Sequence, residues 1–154
     1  MNIECLYLSH NLVRDLYGIA NLTTLVELNL SFNNVEDIKP LEDLTLLEKL
    51  YLNRNHIINI DPILKLQNLL SLGLFHNEIL SAERALEIFE SLSKLRDLSI
   101  DGNPCSSKIE FKYELMLRIP TITLLDEEPI KEFDVDIAKK YFEINNIPLP
   151  LSKK

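Results

Sequence analysis

Asn11, Asn33, Asn55 and Asn77 recur every 22 residues, and Asn103 follows after 26. Each closes the same apolar pattern: Ile3-x-x-Leu6-x-Leu8, Leu25-x-x-Leu28-x-Leu30, Leu47-x-x-Leu50-x-Leu52, Leu69-x-x-Leu72-x-Leu74 and Leu95-x-x-Leu98-x-Ile100. A fixed period in the twenties builds a solenoid, because one turn cannot bury its own apolar face and must stack on its neighbours. The alternating Leu-x-Leu is a short strand, so the strands form a parallel sheet with neighbours about 4.8 Å apart. Asparagine both donates and accepts hydrogen bonds. Its place after each strand predicts that the carboxamides pair backbone groups that burial would otherwise orphan.

Further apolar columns follow in the first three turns: Val13, Leu16, Ile19 and Leu22; Val35, Ile38, Leu41 and Leu44; Ile57, Ile60, Ile63 and Leu66. This pattern resembles the leucine-rich repeat family, in its 22-residue subclass, over roughly residues 3–128. The resemblance implies an α/β right-handed solenoid. Short parallel strands line its concave face, 3₁₀ or helical segments its convex side, and a helical cap closes its C-terminal end. Residues 1–103 are expected to form five repeats, 104–128 the cap, 129–147 a C-terminal helix and 148–154 an extended tail.

The fourth turn is the long one. Residues 81–93 read as a helix with Ser81 as its cap, Glu83 in the first turn, and Leu86, Phe89 and Leu92 as an inward stripe. After Asn103-Pro104-Cys105 the repeat stops. A helical stretch around Phe111, Tyr113, Leu115, Met116 and Leu117 leads to Pro120-x-x-x-x-Leu125-Asp126. This stretch is similar to the cap of spliceosomal snRNP A-prime proteins, repeat-class regulators of protein phosphatase 1 and ciliary repeat proteins. A solenoid needs such a cap to cover the leucines of its last turn. Ile130, Phe133, Ile137, Tyr141 and Ile144 then recur at helical spacing, with Asp134 as the expected N-cap. This helix is expected to pack back on the cap; projecting to dock on a partner is the alternative. At the other end the chain begins almost on the first strand, so Ile3, Leu6, Leu8 and strand backbone form an open edge. A piece of a longer protein or an edge covered by a partner is the preferred reading, ahead of a frayed first turn.

The chain has one domain's length and 46% hydrophobic residues, with a formal charge of −8. Residues 1–103 hold 8 basic against 15 acidic residues. That field repels nucleic acid phosphates and favours a basic or mixed-charge protein partner. No apolar run is long enough to span a bilayer, and the start lacks a secretory pattern. Cys5 and Cys105 fall in the first and last turns, where no disulfide is expected. Two free thiols suit a reducing compartment, the cytoplasm or, by diffusion, the nucleus.

No catalytic residue, cofactor or metal is expected. His10 and His76 share a column but lie three turns, about 14 Å, apart, too far to share one zinc ion. The three glycines form no phosphate loop. Acidic residues Asp126, Glu127 and Glu128 at the cap's exit read as solvated.

Function is therefore expected on the concave face, where strand residues other than the leucines point outward. The candidate partner-binding residues are Tyr7, His10, Asn29, Phe32, Lys49, Tyr51, Asn53, Arg54, Phe75, His76 and Asp97. Aromatic and arginine side chains supply most hot spots in protein interfaces. Gly73 beside Phe75 suggests a depression for a partner's helix or loop. The family's usual arrangement instead tucks Phe32 and His76 over the core edge. The expected function is a non-catalytic protein-binding subunit or scaffold of a larger assembly. The cap resemblance points to cilia and the axoneme, to a regulator docking protein phosphatase 1, or to an A-prime-like subunit holding an RNA-binding protein. Direct binding of nucleic acid, membrane or a small-molecule substrate is not expected.

Overall fold

The computed structural model describes residues 2–150; the end of the expected tail, 151–154, lies outside the described residues. Five strands follow the leucine pattern: β1 (Cys5–Tyr7), β2 (Glu27–Asn29), β3 (Lys49–Tyr51), β4 (Ser71–Gly73) and β5 (Asp97–Ser99). They pair in parallel with corresponding residues abreast: Leu6, Leu28, Leu50, Leu72 and Leu98 form one row. From the second turn on, these leucines are buried and form one continuous core with the apolar columns. In the first turn Ile3, Leu6 and Leu8 are only half-buried, because no described residue stacks on their outer side.

The asparagines do what their chemistry predicts. Asn55 Oδ1 accepts from the Val35 amide of the preceding turn at 2.9 Å. Its Nδ2 donates to Leu30 O of that turn at 3.0 Å and to Leu52 O of its own at 3.1 Å. Asn33, Asn77 and Asn103 repeat the bridge between turns. Asn11, in the first described turn, bonds to Leu8 O and Ser9 O of its own turn.

The convex side carries 3₁₀ segments at Tyr17–Ile19, Lys39–Leu41 and Asp61–Lys65. A second periodic column, which the leucine pattern conceals, starts each of them. Asp15, Asp37 and Asn59 accept from the amides of Tyr17, Lys39 and Asp61 at 2.8–2.9 Å, the local turn that short polar side chains make. In the long fourth turn helix α1 (Ala82–Ser91) replaces the 3₁₀ segment. Ser81 Oγ caps the Arg84 amide at 3.1 Å, and Leu86, Phe89 and Leu92 are buried as expected.

Helix α2 (Ile109–Arg118) lays Phe111 and Leu115 into the main core and closes the last turn. Strands β6 (Leu124–Leu125) and β7 (Glu128–Pro129) end the sheet: β6 pairs parallel with β5, and β7 returns antiparallel. Asp126 and Glu127 join them at φ of 50° and 68°, the mirror-image turn that suits a two-residue hairpin. Asp126 is not a solvated carboxylate: its side chain is 11% exposed. Its Oδ1 accepts from the Ile100 and Asp101 amides at 2.7 and 2.9 Å, and its Oδ2 lies 3.2 Å from Lys112 Nζ. The Leu-Asp ending thus pairs the backbone donors left at the last strand's exit.

Arg118, the last residue of α2, is buried between the cap and α1. Its Nε donates to Glu90 at 3.1 Å, and its Nη1 reaches both oxygens of Glu83 at 3.1 and 3.2 Å and Glu114 at 3.4 Å. Burial pulls against its charge, but Glu90 and Glu83 outweigh that and raise its pKa.

Helix α3 (Glu132–Ile144) packs on α2, but not by the stripe that its apolar spacing suggests. Ala138 and Phe142 are the buried residues, packed with Val135 and Tyr141 against Tyr113, Met116 and Leu117. Phe133 and Ile144 stay 70% and 78% exposed. The small Ala138 side chain lets the helices approach closely where a phenylalanine would hold them apart. Asp134 is not the N-cap either. It sits one turn in and accepts from the Lys131 amide at 2.9 Å.

Candidate functional site

All eleven candidate residues are at least partly solvent-accessible on the strand face and its exit edge. They fall into three groups with different chemistry.

At the open end the face satisfies itself. The Tyr7 hydroxyl donates to Glu27, and Lys49 Nζ lies 4.0 Å from the same carboxylate. That hydrogen bond is the main reason the Tyr7 phenol is pushed up to about 12. Asn29 and Asn53 serve the scaffold through their oxygens: Asn29 accepts from the Ser31 amide at 3.0 Å, and Asn53 from the Phe75 amide at 2.8 Å. Asn53 also fills the space over Gly73. A Cβ there would lie 2.8 Å from the Asn53 carboxamide, so the glycine makes room for Asn53.

Along the strand exits runs a ladder of rings. His10 stacks on Phe32 with centroids 4.3 Å apart and planes 15° from parallel; Phe75 meets His76 edge-on at 4.3 Å. Between these pairs the Arg54 guanidinium lies 5.6 Å from the Phe32 centroid and 5.4 Å from that of Phe75, within cation–π range. The backbone explains the alignment. His10, Phe32, Arg54 and His76 all have φ between 53° and 59°, a left-handed conformation that costs a side-chain-bearing residue roughly 1–2 kcal/mol. The chain turns there so that the following asparagine points inward. Only Gly102 holds that place in the fifth turn, at φ 79°, and a Cβ on it would come within 2.9 Å of the His76 ring. Phe32 therefore does not tuck over the core edge: it is 44% exposed.

The third group lines an open depression of about 330 Å³ that runs along the concave face from Asn29 and Ser31, past Tyr51 and Gly73, to Asp97 and Glu127 near the cap. Asp97 accepts a long 3.4 Å hydrogen bond from the Ser71 hydroxyl. Burial, and then the charge of Glu127, hold its carboxyl above the usual range. Glu127 joins this site from the hairpin beyond β6. Neither the 22-residue period nor the strand pattern marks it, because it enters through the cap's turn rather than through a repeat column. Among the described residues no cation pairs with Asp97 or Glu127, and no carboxylate pairs with Arg54.

A family model described as leucine-rich repeat matches residues 18–148. The chain belongs to the leucine-rich repeat family. Among solved structures it is similar to a chain of the Drosophila melanogaster SNF/U2A′ complex, with 27% identity and a TM-score of 0.68, covering 90% of this chain and 79% of that one. It is also similar to the internalin InlF of Listeria monocytogenes, with 26% identity and a TM-score of 0.63, covering 76% of this chain and 32% of that one. The leucine-rich repeat protein LIC12759 of Leptospira interrogans gives 28% identity and a TM-score of 0.63, covering 77% and 30%. This leucine-rich repeat chain thus spans about a third of the internalin's length. Among curated proteins none matches. Leucine-rich repeat domains are in general protein–protein interaction modules. Among the described residues no helix is long and apolar enough to cross a membrane.

Proposed function

We propose that this leucine-rich repeat protein is a non-catalytic subunit or scaffold that holds a protein partner on its concave face. The observation that carries the reading is Arg54. It is exposed, fixed between the rings of Phe32 and Phe75, and without an acidic partner among the described residues. Arginine and aromatic side chains in such clusters dominate interface energies. Direct nucleic acid, membrane and small-molecule binding form no part of the proposal. The site of action on this reading is the cytoplasm, with the ciliary axoneme as the assembly that the cap's resemblance suggests; the two unbridged thiols favour a reducing compartment. A second reading, an A-prime-like subunit, is favoured by the likeness to the SNF/U2A′ chain, which extends through the cap to 90% of this chain.

A photo-crosslinking residue placed at Tyr51 is expected to capture a defined partner in cells, while one at the convex Ile58 is not. The double variant Tyr51→Ala, Arg54→Ala is expected to lose that partner and keep its melting temperature. Capture from Ile58 alone, or a double variant that binds and melts normally, contradicts the concave-face assignment.

A further inference from the structure

Two charged places on the concave face have no counter-charge among the described residues. Arg54 is held at the strand exit of the third turn by rings on both sides, its guanidinium edge free. A guanidinium presents a planar fork that matches an acidic group in two parallel hydrogen bonds. Stacking on fixed rings removes much of the rotamer freedom that an arginine otherwise loses on binding. Two strands on, roughly 10 Å across the sheet at ~4.8 Å per strand, Asp97 and Glu127 border the open depression. Asp97 feels the Glu127 charge with only a distant serine hydroxyl in compensation. The other end of the face differs: there Glu27 is matched by Tyr7 and Lys49.

We infer that the occupant of the concave face is a polypeptide segment carrying both signs of charge: a carboxylate that the Arg54 fork receives, and a lysine or arginine that enters the depression between Asp97 and Glu127. This rests on the concave-face reading above and names the partner's chemistry. Arg54 alone would suit a phosphate as well as a carboxylate. The acidic pair on the same face, and a chain carrying −8 overall, disfavour a polyanion such as RNA. Opposite charges at two separated points also fix the segment's direction, since reversing it sets like against like.

The test is selection from a phage-displayed random dodecapeptide library on the full chain, with Arg54→Gln and the double variant Asp97→Asn, Glu127→Gln as parallel targets. Each variant is first shown to keep the wild-type melting temperature; any that does not is replaced by Arg54→Lys or by Glu127→Gln alone. Peptides enriched on the wild type are expected to carry an acidic and a basic residue at constant separation. The acidic preference should vanish on Arg54→Gln and the basic one on the acidic-pair variant, each weakening the parent peptide about tenfold. Wild-type peptides lacking either charge overturn the inference, as does a selection that enriches nothing over uncoated wells. Peptides indifferent to the charge variants but lost on Tyr51→Ala overturn it while leaving the concave-face reading intact. Peptides indifferent to all three, and displaced by substitutions at the exposed Phe133 and Ile144, overturn both.

Discussion

Replacing Asn55 by alanine takes a donor and an acceptor out of the solenoid's interior at once. The Val35 amide loses its partner, while Leu30 O keeps its bond from Asn33 and Leu52 O its bond from Asn77; an orphaned buried group costs about 1–3 kcal/mol. Asn55→Ala is expected to lower stability by about 2 kcal/mol, read from the urea midpoint. Asn11→Ala removes the same residue type from the same column, yet it is exposed and bonds only within its own turn; a change under about 0.5 kcal/mol is expected. Equal losses at both positions would show that the asparagines act locally rather than by joining turns. The two cysteines divide in the same way. Cys5 is exposed, while Cys105 is buried and its thiol is pushed up to about 11 by that burial. The thiolate is the reactive form. Iodoacetamide at neutral pH is expected to label one site per native chain, Cys5, and both sites in denaturant, counted by intact mass.

At the scale of elements, the cap is joined to the fourth turn by charge as well as by apolar contact. Arg118 carries Glu90 with it into the interior, their side chains 4% and 9% exposed. Removing one member of a buried ion pair takes away the charge that offsets the other's burial, at a cost of about 3–5 kcal/mol. Arg118→Ala is expected to cost that much by chemical denaturation, and Arg118→Met, which restores packing but not charge, nearly as much. Full recovery with methionine would show that packing alone mattered. Arg118 lies in a segment that the sequence marks only as helical, since no local pattern says which glutamates will face it. Helix α3 shows the same limit. Ile130, Phe133, Ile137, Tyr141 and Ile144 fit a helical stripe as well as Val135, Ala138 and Phe142 do. The choice between the two faces was made by the close approach of α2.

Across the whole molecule, stability in a solenoid is a sum of turns and the interfaces between them. The capped end has its last turn covered by α2 and Asp126; the open end leaves Ile3, Leu6 and Leu8 half-buried. Local opening is therefore expected to start at β1. The backbone bonds of Leu8 and His10 to Asn29 O and Ser31 O correspond to those of Leu30 and Phe32 one turn on. Native-state hydrogen exchange is expected to be faster at Leu8 and His10 than at Leu30 and Phe32. Uniform protection along the columns would mean that the chain opens as a single unit.

The period, the strands, the inward leucines, the asparagine bridges and the helix of the long turn follow from the sequence alone. They are set by short-range spacing, and a 22-residue repeat leaves one way for successive turns to bury one another. Sequence also placed the binding candidates on one face, because residues between inward leucines must point outward. What that face offers was decided by tertiary structure. Tyr7, Lys49 and Asn53 are engaged with neighbouring turns, Asn29 with the Ser31 amide of its own turn, and Asn53 covers Gly73. Left-handed turns line up His10, Phe32, Arg54 and His76, and a hairpin beyond the repeats brings Glu127 beside Asp97. Most of these are contacts between turns, and a contact between turns depends on the side chains of both.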